Sequence, residues 1–170
     1  MNKLTVLIAS DSHGRVDRLR SLFEMHKNAD ALVYLGDGLT DLDRAGVRDY
    51  RFTVFALKGN CDGSTGSLTV LRAKEELAFN LDTVRFFALH GHTRGVKSTI
   101  VNALYAAESN GADVLLYGHT HEPFSTYLPA GEYNLSKPMY VFNPGSVADY
   151  SFGLCEIRDG QILLSHGVIY

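Results

Sequence analysis

The length, composition and charge of the chain are those of an ordinary globular protein. Its 170 residues are 45% hydrophobic and 21% charged, which suits a single domain over residues 1–170 with a substantial core. The formal net charge of −3 excludes the basic excess of a general nucleic-acid-binding or anionic-membrane-binding protein. Two cysteines, Cys61 and Cys155, are too few for a disulfide framework, and no apolar run suits a signal peptide or a membrane span. We therefore expect a cytoplasmic protein.

The first two-thirds of the chain alternates short apolar runs with amphipathic segments. Buried strands are predicted at Leu4–Ala9, Ala31–Leu35, Phe52–Leu57, Val84–Leu89 and Asp113–Tyr117. Apolar residues at helical spacing predict helices over Arg15–Lys27 and Ser98–Asn110. Ser98 or Thr99 could cap the start of the second helix, and Gly111 its end. The strand–helix–strand order indicates an α/β protein with parallel strand pairing.

The last third of the chain is richer in strand-like segments. These segments are Phe124–Leu128, Tyr140–Phe142, Phe152–Arg158 and Gln161–Gly167. Turn signals occur at Pro129–Gly131 and Asp159–Gly160. This pattern predicts antiparallel hairpins that complete a second sheet.

Polar residues with metal-binding chemistry follow the predicted strands of the first two-thirds. They occur in five groups, Asp11-Ser12-His13, Gly36-Asp37, Gly59-Asn60-Cys61-Asp62, His90-Gly91-His92 and Gly118-His119-Thr120-His121. Loops that leave the carboxyl ends of strands in α/β sheets converge on one edge, where ligands bind. The sequence therefore predicts a metal site at the carboxyl ends of the strands.

The donor types indicate which metals suit this site. The seven candidate ligands combine carboxylates, an amide oxygen and imidazoles, and they are Asp11, His13, Asp37, Asn60, His90, His119 and His121. Such donors suit Mn²⁺, Fe²⁺ or Zn²⁺ and argue against an all-thiolate site. Seven donors exceed the needs of one ion, but they give two ions four ligands each if Asp37 bridges. A pair of ions ~3.5–4 Å apart neutralises phosphate oxygens and supplies a bridging hydroxide that attacks phosphorus.

The five groups together resemble a known family. The order D-x-H, G-D, G-N-x-D, H-G-H and G-H-T-H is similar to that of the calcineurin-like metallophosphoesterase superfamily, and within it to the small YfcE-like phosphodiesterases. The resemblance runs from Asp11 to the Asn143-Pro144-Gly145-Ser146 turn and implies a two-sheet β-sandwich flanked by helices. It assigns one ion to Asp11, His13, Asp37 and His121, and the other to Asp37, Asn60, His90 and His119. It also implies two divalent ions, with Mn²⁺ expected and Fe, Ni or Zn as alternatives.

One position departs from the commonest pattern of the superfamily. Many members have His after the Asn, where this chain has Cys61, and a thiol is a poorer proton donor than imidazolium near neutral pH. The small branch often has Cys there, so the resemblance still implies activity. His92 is the nearest substitute for the missing imidazole, and Arg94 could contact a phosphate oxygen. We expect Asp37, Asn60 and His92 to act in catalysis, and Asn60, His92 and Arg94 to contact the substrate.

Two classes of function remain after this assignment. The first is a phosphoric ester hydrolase, most simply a phosphodiesterase acting on a small phosphate ester, with a DNA-repair type of nuclease as a weaker form. The second is a binding scaffold, as in the retromer subunit that shares this fold; the complete ligand set favours the enzyme. We expect Asp62 to orient its loop or a ligand histidine rather than bind metal. The region Gly63–Asp82 is the candidate for a segment over the metals, and the sequence leaves a homo-oligomer open.

Overall fold

Two five-stranded sheets and four α-helices make up the described part of the chain, residues 3–63 and 68–170 of a computed structural model. The strands are β1 (Lys3–Ala9), β2 (Ala31–Tyr34), β3 (Thr53–Ala56), β4 (Glu76–Leu81), β5 (Val84–Leu89), β6 (Val114–Tyr117), β7 (Pro123–Leu128), β8 (Met139–Pro144), β9 (Ser151–Arg158) and β10 (Gln161–Val168). The α-helices are α1 (Val16–Met25), α2 (Leu39–Arg44), α3 (Leu68–Arg72) and α4 (Val101–Ser109). Short 3₁₀ turns occur at Val47–Asp49, His92–Arg94, Glu132–Asn134 and Val147–Asp149.

Each sheet combines three parallel strands with further strands that pair in the antiparallel sense. The first sheet has the order β10-β9-β1-β2-β3, in which β1, β2 and β3 are parallel. The second has the order β4-β5-β6-β8-β7, in which β5, β6 and β8 are parallel. The parallel strands all end at one edge of their sheet, so the loops that follow them are gathered there.

The core consists of one layer between the sheets and one layer under the helices on each side. Val6 and Ile8 of β1 face the second sheet and pack with Phe86 and Phe142. The alternate residue Leu7 belongs to the cluster under α1 and α2. A third cluster joins α4 to the outer face of the second sheet. Because β1 is covered on both faces, its residues form a continuous apolar run rather than an alternating one.

The two-sheet sandwich flanked by helices is confirmed, but the placement of the C-terminal hairpin was wrong. β9 and β10 do not extend the second sheet; β9 pairs antiparallel with β1, with Cys155 opposite Val6. Cys155 and Ile157 then contribute to the layer between the sheets. A two-residue alternation of apolar side chains fits an edge position in either sheet, so the pattern alone could not choose between them.

The region Gly63–Asp82 contains two regular elements. These are α3 and the strand β4, which pairs antiparallel with β5 at the edge of the second sheet. A position over the metals stays a prediction. Residues 64–67 of this region lie outside the described residues. Within the described ranges, no helix combines the length and the hydropathy that crossing a bilayer requires.

The helix ends follow the expected chemistry. Thr99 accepts a hydrogen bond from the Val101 N–H through its hydroxyl oxygen at 3.3 Å, which satisfies one free N–H at the start of α4. Gly111, just beyond the end of α4, has a φ of +66°, a conformation that glycine adopts without strain. The short helix α2 was missed because six residues carry little periodic signal.

Candidate metal centre

The polar loops from both sheets meet at one end of the sandwich. Backbone hydrogen bonds join them: the Asp11 N–H donates to the Gly36 carbonyl at 2.9 Å, and the Gly118 N–H donates to the His90 carbonyl at 3.0 Å. The glycines at this junction leave no room for a side chain. A Cβ on Gly36 would lie 2.6 Å from the Gly59 nitrogen, and a Cβ on Gly59 would lie 2.1 Å from Asp37 Oδ1. The loops therefore approach more closely than larger residues would permit.

One group of donors combines the loop after β1 with the loop after β6. Asp11, His13 and His121 each offer a ligand atom within 4.8 Å of the others. His13 Nε2 lies 3.1 Å from His121 Nε2, and Asp11 Oδ1 lies 3.2 Å from the same His121 atom. Both imidazoles are partly exposed, whereas Asp11 is fully buried.

A second group combines the loop after β2 with the loops after β5 and β6. Asp37, His90 and His119 again offer ligand atoms within 4.8 Å of one another. His90 Nε2 lies 3.4 Å from Asp37 Oδ2 and 3.2 Å from His119 Nδ1. The amide oxygen of Asn60 lies 3.1 Å from the same His90 nitrogen. All seven residues selected from the sequence are thus brought together.

The two groups adjoin through their carboxylates. Asp37 Oδ2, which contacts His90 in the second group, also lies 3.9 Å from His13 Nε2 in the first. Asp11 Oδ1 lies 3.6 Å from His13 Nε2 and 4.0 Å from His90 Nε2. The carboxylates therefore occupy the middle of a single constellation rather than two separate ones.

Hydrogen bonds outside the constellation fix the direction of its ligand atoms. His90 Nδ1 lies 2.7 Å from the Leu35 carbonyl oxygen, which can only accept, so Nδ1 carries a proton and Nε2 is the nitrogen that faces the site. Asp37 Oδ1 accepts a hydrogen bond from the Cys61 N–H at 2.7 Å, leaving Oδ2 to face the imidazoles. Asp11 Oδ2 is similarly held by the Ser10 hydroxyl and the His119 N–H.

The arrangement fits divalent cations. Asp11 Oδ1 is buried and accepts no hydrogen bond from any residue that the structure describes. Around it, His13 and His121 point ring nitrogens at each other at 3.1 Å. A buried carboxylate oxygen and converging imidazole nitrogens are costly without a shared partner, and a cation satisfies them together. Mixed oxygen and nitrogen donors of this kind suit first-row divalent metals.

The backbone is strained at the candidate ligands. Five of the seven have left-handed backbone angles, namely Asp11 (φ +56°), His13 (+43°), Asp37 (+58°), His119 (+68°) and His121 (+63°). Non-glycine residues seldom adopt this region, at a cost of about 1–3 kcal/mol each, and such residues cluster at functional sites. The left-handed turns immediately after β1, β2 and β6 belong to the same loops that direct these side chains toward one centre.

Burial and neighbouring charges set the protonation of the imidazoles in the metal-free protein. Burial, followed by the charges of His90 and Lys97, lowers the pKa of His119 to about 4, so this ring is neutral near pH 7. Burial acts in the same direction on His90, but its contact with Asp37 and the charges of the two carboxylates outweigh burial and raise the pKa of His90. Burial also disfavours the Asp37 carboxylate, yet His90 and the backbone N–H of residue 61 hold the pKa of Asp37 below its usual range.

Asp62 orients its loop, in agreement with the sequence-based expectation. Its carboxylate accepts four backbone hydrogen bonds at 2.8–2.9 Å, from the N–H groups of Asp37, Gly38, Leu39 and Gly59. All four donors therefore belong to the segments that follow β2 and β3. This carboxylate ties the loop that carries Asp37 to the loop that carries Asn60.

The Asn143-Pro144-Gly145-Ser146 turn makes hydrogen bonds to the loops that carry the candidate ligands. The Asn143 amide donates to the Gly118 carbonyl at 3.1 Å and to the Thr120 hydroxyl at 3.0 Å. The Ser146 hydroxyl donates to the Asp11 carbonyl at 2.9 Å. The turn thus holds the loops after β1 and β6 in place.

The predicted substrate contacts have different surroundings. The His92 ring lies beside the second group, with its centroid 5.4 Å from that of His90 and 6.2 Å from that of His119. Arg94, in contrast, forms a two-pronged ion pair with Glu76 of β4, with one N···O distance of 2.9 Å. Contact of either residue with a substrate stays a prediction, but the Arg94 guanidinium already has a partner.

Two supporting residues were missed from the sequence. Asp41 of α2 is buried, and its Oδ2 accepts hydrogen bonds from the Ser12 hydroxyl at 2.6 Å and from the Gly14 N–H at 2.7 Å. The buried Tyr34 hydroxyl lies 2.7 Å from the same Ser12 oxygen. These contacts join Ser12 to residues 22 and 29 positions away in the chain, so no local signal in the sequence marks them.

Comparison with known proteins identifies the family. The model of the calcineurin-like phosphoesterase superfamily domain matches residues 4–166, and the chain belongs to this superfamily. It is 32% identical over 145 residues to the probable metallophosphoesterase YsnB of Bacillus subtilis, a match covering 85% of this chain and 75% of that protein. It is 29% identical over 163 residues to the phosphodiesterase YfcE of Escherichia coli, covering 85% of this chain and 80% of that protein.

Solved structures share the fold. A predicted phosphoesterase from Streptococcus pneumoniae superposes with a TM-score of 0.75 at 22% identity, over 99% of this chain and 91% of the other. Vacuolar Protein Sorting 29 from Cryptosporidium parvum superposes with a TM-score of 0.71 at 15% identity, over 97% of each chain. At such identities the likeness concerns the fold alone.

Proposed function

We propose that the chain is a binuclear metal-dependent phosphodiesterase. The observation that carries the proposal is the constellation around Asp37 and Asp11, in which two donor groups adjoin through buried carboxylates. Family membership supplies the reaction class, phosphate ester hydrolysis by a metallophosphoesterase. Preference for a diester is supported by the likeness to the phosphodiesterase YfcE of Escherichia coli.

In this proposal the residues of the chain divide between two divalent ions, with Mn²⁺ preferred. Asp11, His13 and His121 hold one ion, and Asn60, His90 and His119 the other, with Asp37 shared between them. Two bound ions would lower the pKa of a water molecule and neutralise the phosphate oxygens. The chain itself holds the His90 ring by the contact of Nδ1 with the Leu35 carbonyl, which directs Nε2 at the site, and shields the carboxylates from solvent.

Catalysis also requires groups that face the ester. Asn60 and His92 are the proposed contacts, since both lie beside the second donor group. His92 Nδ1 is buried and has no hydrogen-bond partner among the described residues, so the ring is not committed to a structural role. A non-catalytic scaffold, the alternative raised by the sequence, would share the fold but would not require the complete ligand set.

The test is a metal count combined with an assay. Native mass spectrometry of protein saturated with Mn²⁺ should show two ions per chain, and the loaded protein should hydrolyse bis(p-nitrophenyl) phosphate faster than p-nitrophenyl phosphate. A maximum of one ion under every metal tried would refute the binuclear centre. Two ions without hydrolysis of either ester would favour the scaffold.

A further inference from the structure

A cavity of about 430 Å³ lies beside the metal centre and is not accounted for by the metal ligands. Its lining includes Val96, Lys97, Tyr117, Thr120, Glu122 and Phe124. Thr120 stands in the chain between His119 and His121, the candidate ligands that belong to the two different donor groups. The cavity therefore adjoins the loop that carries His119 and His121.

The lining combines three kinds of chemistry. Lys97 provides a positive charge that already acts on His119, whereas the guanidinium of Arg94 is committed to Glu76. Phe124, at the start of edge strand β7, leaves 44% of its surface exposed and offers a flat apolar face. Glu122 adds a carboxylate that can accept hydrogen bonds from hydroxyl groups.

The volume and the lining together indicate the kind of group that fits. The cavity is much larger than a phosphate needs, because ligand pockets of this size hold small organic molecules. An exposed phenyl ring is a platform on which a planar base stacks, and a nearby cation and carboxylate suit a phosphate and sugar hydroxyls. A simple alkyl substituent would use neither the phenyl ring nor the carboxylate.

We propose that this cavity binds the non-departing substituent of the phosphodiester and that this substituent is a nucleoside. The proposal rests on the phosphodiesterase function given above. Phe124 stacks on the base, Glu122 accepts a hydrogen bond from the sugar, and the Thr120 hydroxyl donates one to it. Lys97 neutralises the phosphate oxygen that faces away from the ligand residues.

Two substrates with the same leaving group distinguish binding of the retained substituent from cleavage of the ester bond. Thymidine 5′-(p-nitrophenyl) phosphate and methyl p-nitrophenyl phosphate differ only in the substituent that stays on phosphorus. The wild-type protein should have a kcat/KM for the thymidine ester at least about tenfold higher, and Phe124→Ala should reduce this ratio by about tenfold, mainly through KM. Lys97→Gln should lower kcat/KM for both esters.

Tyr127 provides a matched control. It lies on the same strand, is 51% exposed and is not part of the cavity lining, so Tyr127→Ala should keep the wild-type ratio. Equal kcat/KM values for the two esters in the wild-type protein, or an unchanged ratio in Phe124→Ala, would overturn the proposal while leaving the phosphodiesterase function intact.

Failure of the phosphodiesterase function has a different signature. Hydrolysis of neither ester would refute the proposed function, and calorimetric titration would then test the cavity by itself. Thymidine 5′-monophosphate should bind the Mn²⁺-loaded wild-type protein more tightly than methyl phosphate does, and Phe124→Ala should remove the difference. Equal affinity of the two ligands for the wild-type protein would refute the nucleoside site.

Discussion

At the residue scale, Asp37 is the predicted ligand whose loss should affect both ions. Its Oδ2 contacts imidazoles of both donor groups, His90 at 3.4 Å and His13 at 3.9 Å. Asp37→Asn should therefore weaken both sites by at least about tenfold, because a neutral amide replaces the shared charge. Asn60→Ala should mainly weaken one. Calorimetric titration with Mn²⁺ measures this, and an Asp37→Asn protein that binds two ions with wild-type affinity would argue against the bridge.

Cys61 should limit the range of leaving groups. Burial, followed by its contact with Asp37, raises the pKa of the Cys61 thiol, which makes it a weak acid at neutral pH. Aryl diesters, whose leaving groups depart as anions, should therefore be cleaved better than alkyl monoesters. Cys61→His should improve poor leaving groups by ~10²-fold, the lower end of general-acid effects. The measurement is the dependence of kcat/KM on leaving-group pKa for the wild-type protein and Cys61→His. Equal slopes for the two proteins would show that position 61 plays no part in departure of the leaving group.

At the element scale, the close approach of the loops after β2 and β3 is a requirement of the site. A Cβ on Gly59 would lie 2.1 Å from Asp37 Oδ1, so Gly59→Ala must displace that carboxylate. We expect weaker binding of both ions and a fall of about 1–3 kcal/mol in the free energy of unfolding. Gly111→Ala is the control, since its Cβ meets no atom within 4 Å and its φ of +66° costs only about 1 kcal/mol. Denaturant titration and metal counting of both variants decide the point, and wild-type metal content in Gly59→Ala would contradict it.

The elements that carry the ligands were also the ones that the sequence defined best. Short apolar runs followed by Asp11, Asp37 or His90 predicted both the strands and the place of the site, because strand ends and polar turn residues coincide there. The assignment of β9 and β10 to a sheet could not be predicted, since edge pairing depends on which apolar face remains uncovered. The supporting contact of Asp41 with Ser12 is equally non-local, joining residues 29 apart in the chain.

At the scale of the whole molecule, the donor groups connect the two sheets. Asp11 and His13 follow β1 of the first sheet, while His121 follows β6 of the second. Asp37 follows β2 of the first sheet, and His90 and His119 follow strands of the second. Each proposed ion would therefore link both layers of the sandwich, so metal binding should stabilise the entire fold rather than a single loop.

This link predicts that the stabilisation by Mn²⁺ grows with pH. In the metal-free protein the pKa of His90 is raised above its ordinary value of 6.5, so its contribution to stability is complete below that value and is lost as the pH rises through the raised pKa. The pKa of Asp37 is lowered, so its contribution is complete above about pH 4 and does not change near neutrality. The lowered pKa of His119 has the opposite sign and makes stability rise up to about pH 6.5, so the fall in Tm due to His90 is expected only as the pH rises above that value.

Metal binding has the opposite dependence on pH, because a cation must displace the proton from His90. The difference in Tm between Mn²⁺-loaded and chelator-treated protein should therefore widen as the pH rises above about 6.5, with stabilisation of about 2.7 kcal/mol for each bound ion when free metal is 100-fold above Kd. Scanning calorimetry at matched ionic strength measures both curves. Asp37→Asn, the control, should show little metal-induced shift at any pH. A wild-type difference that stays constant or narrows as the pH rises would contradict proton competition at His90, whereas the absence of any difference would contradict the link between the sheets.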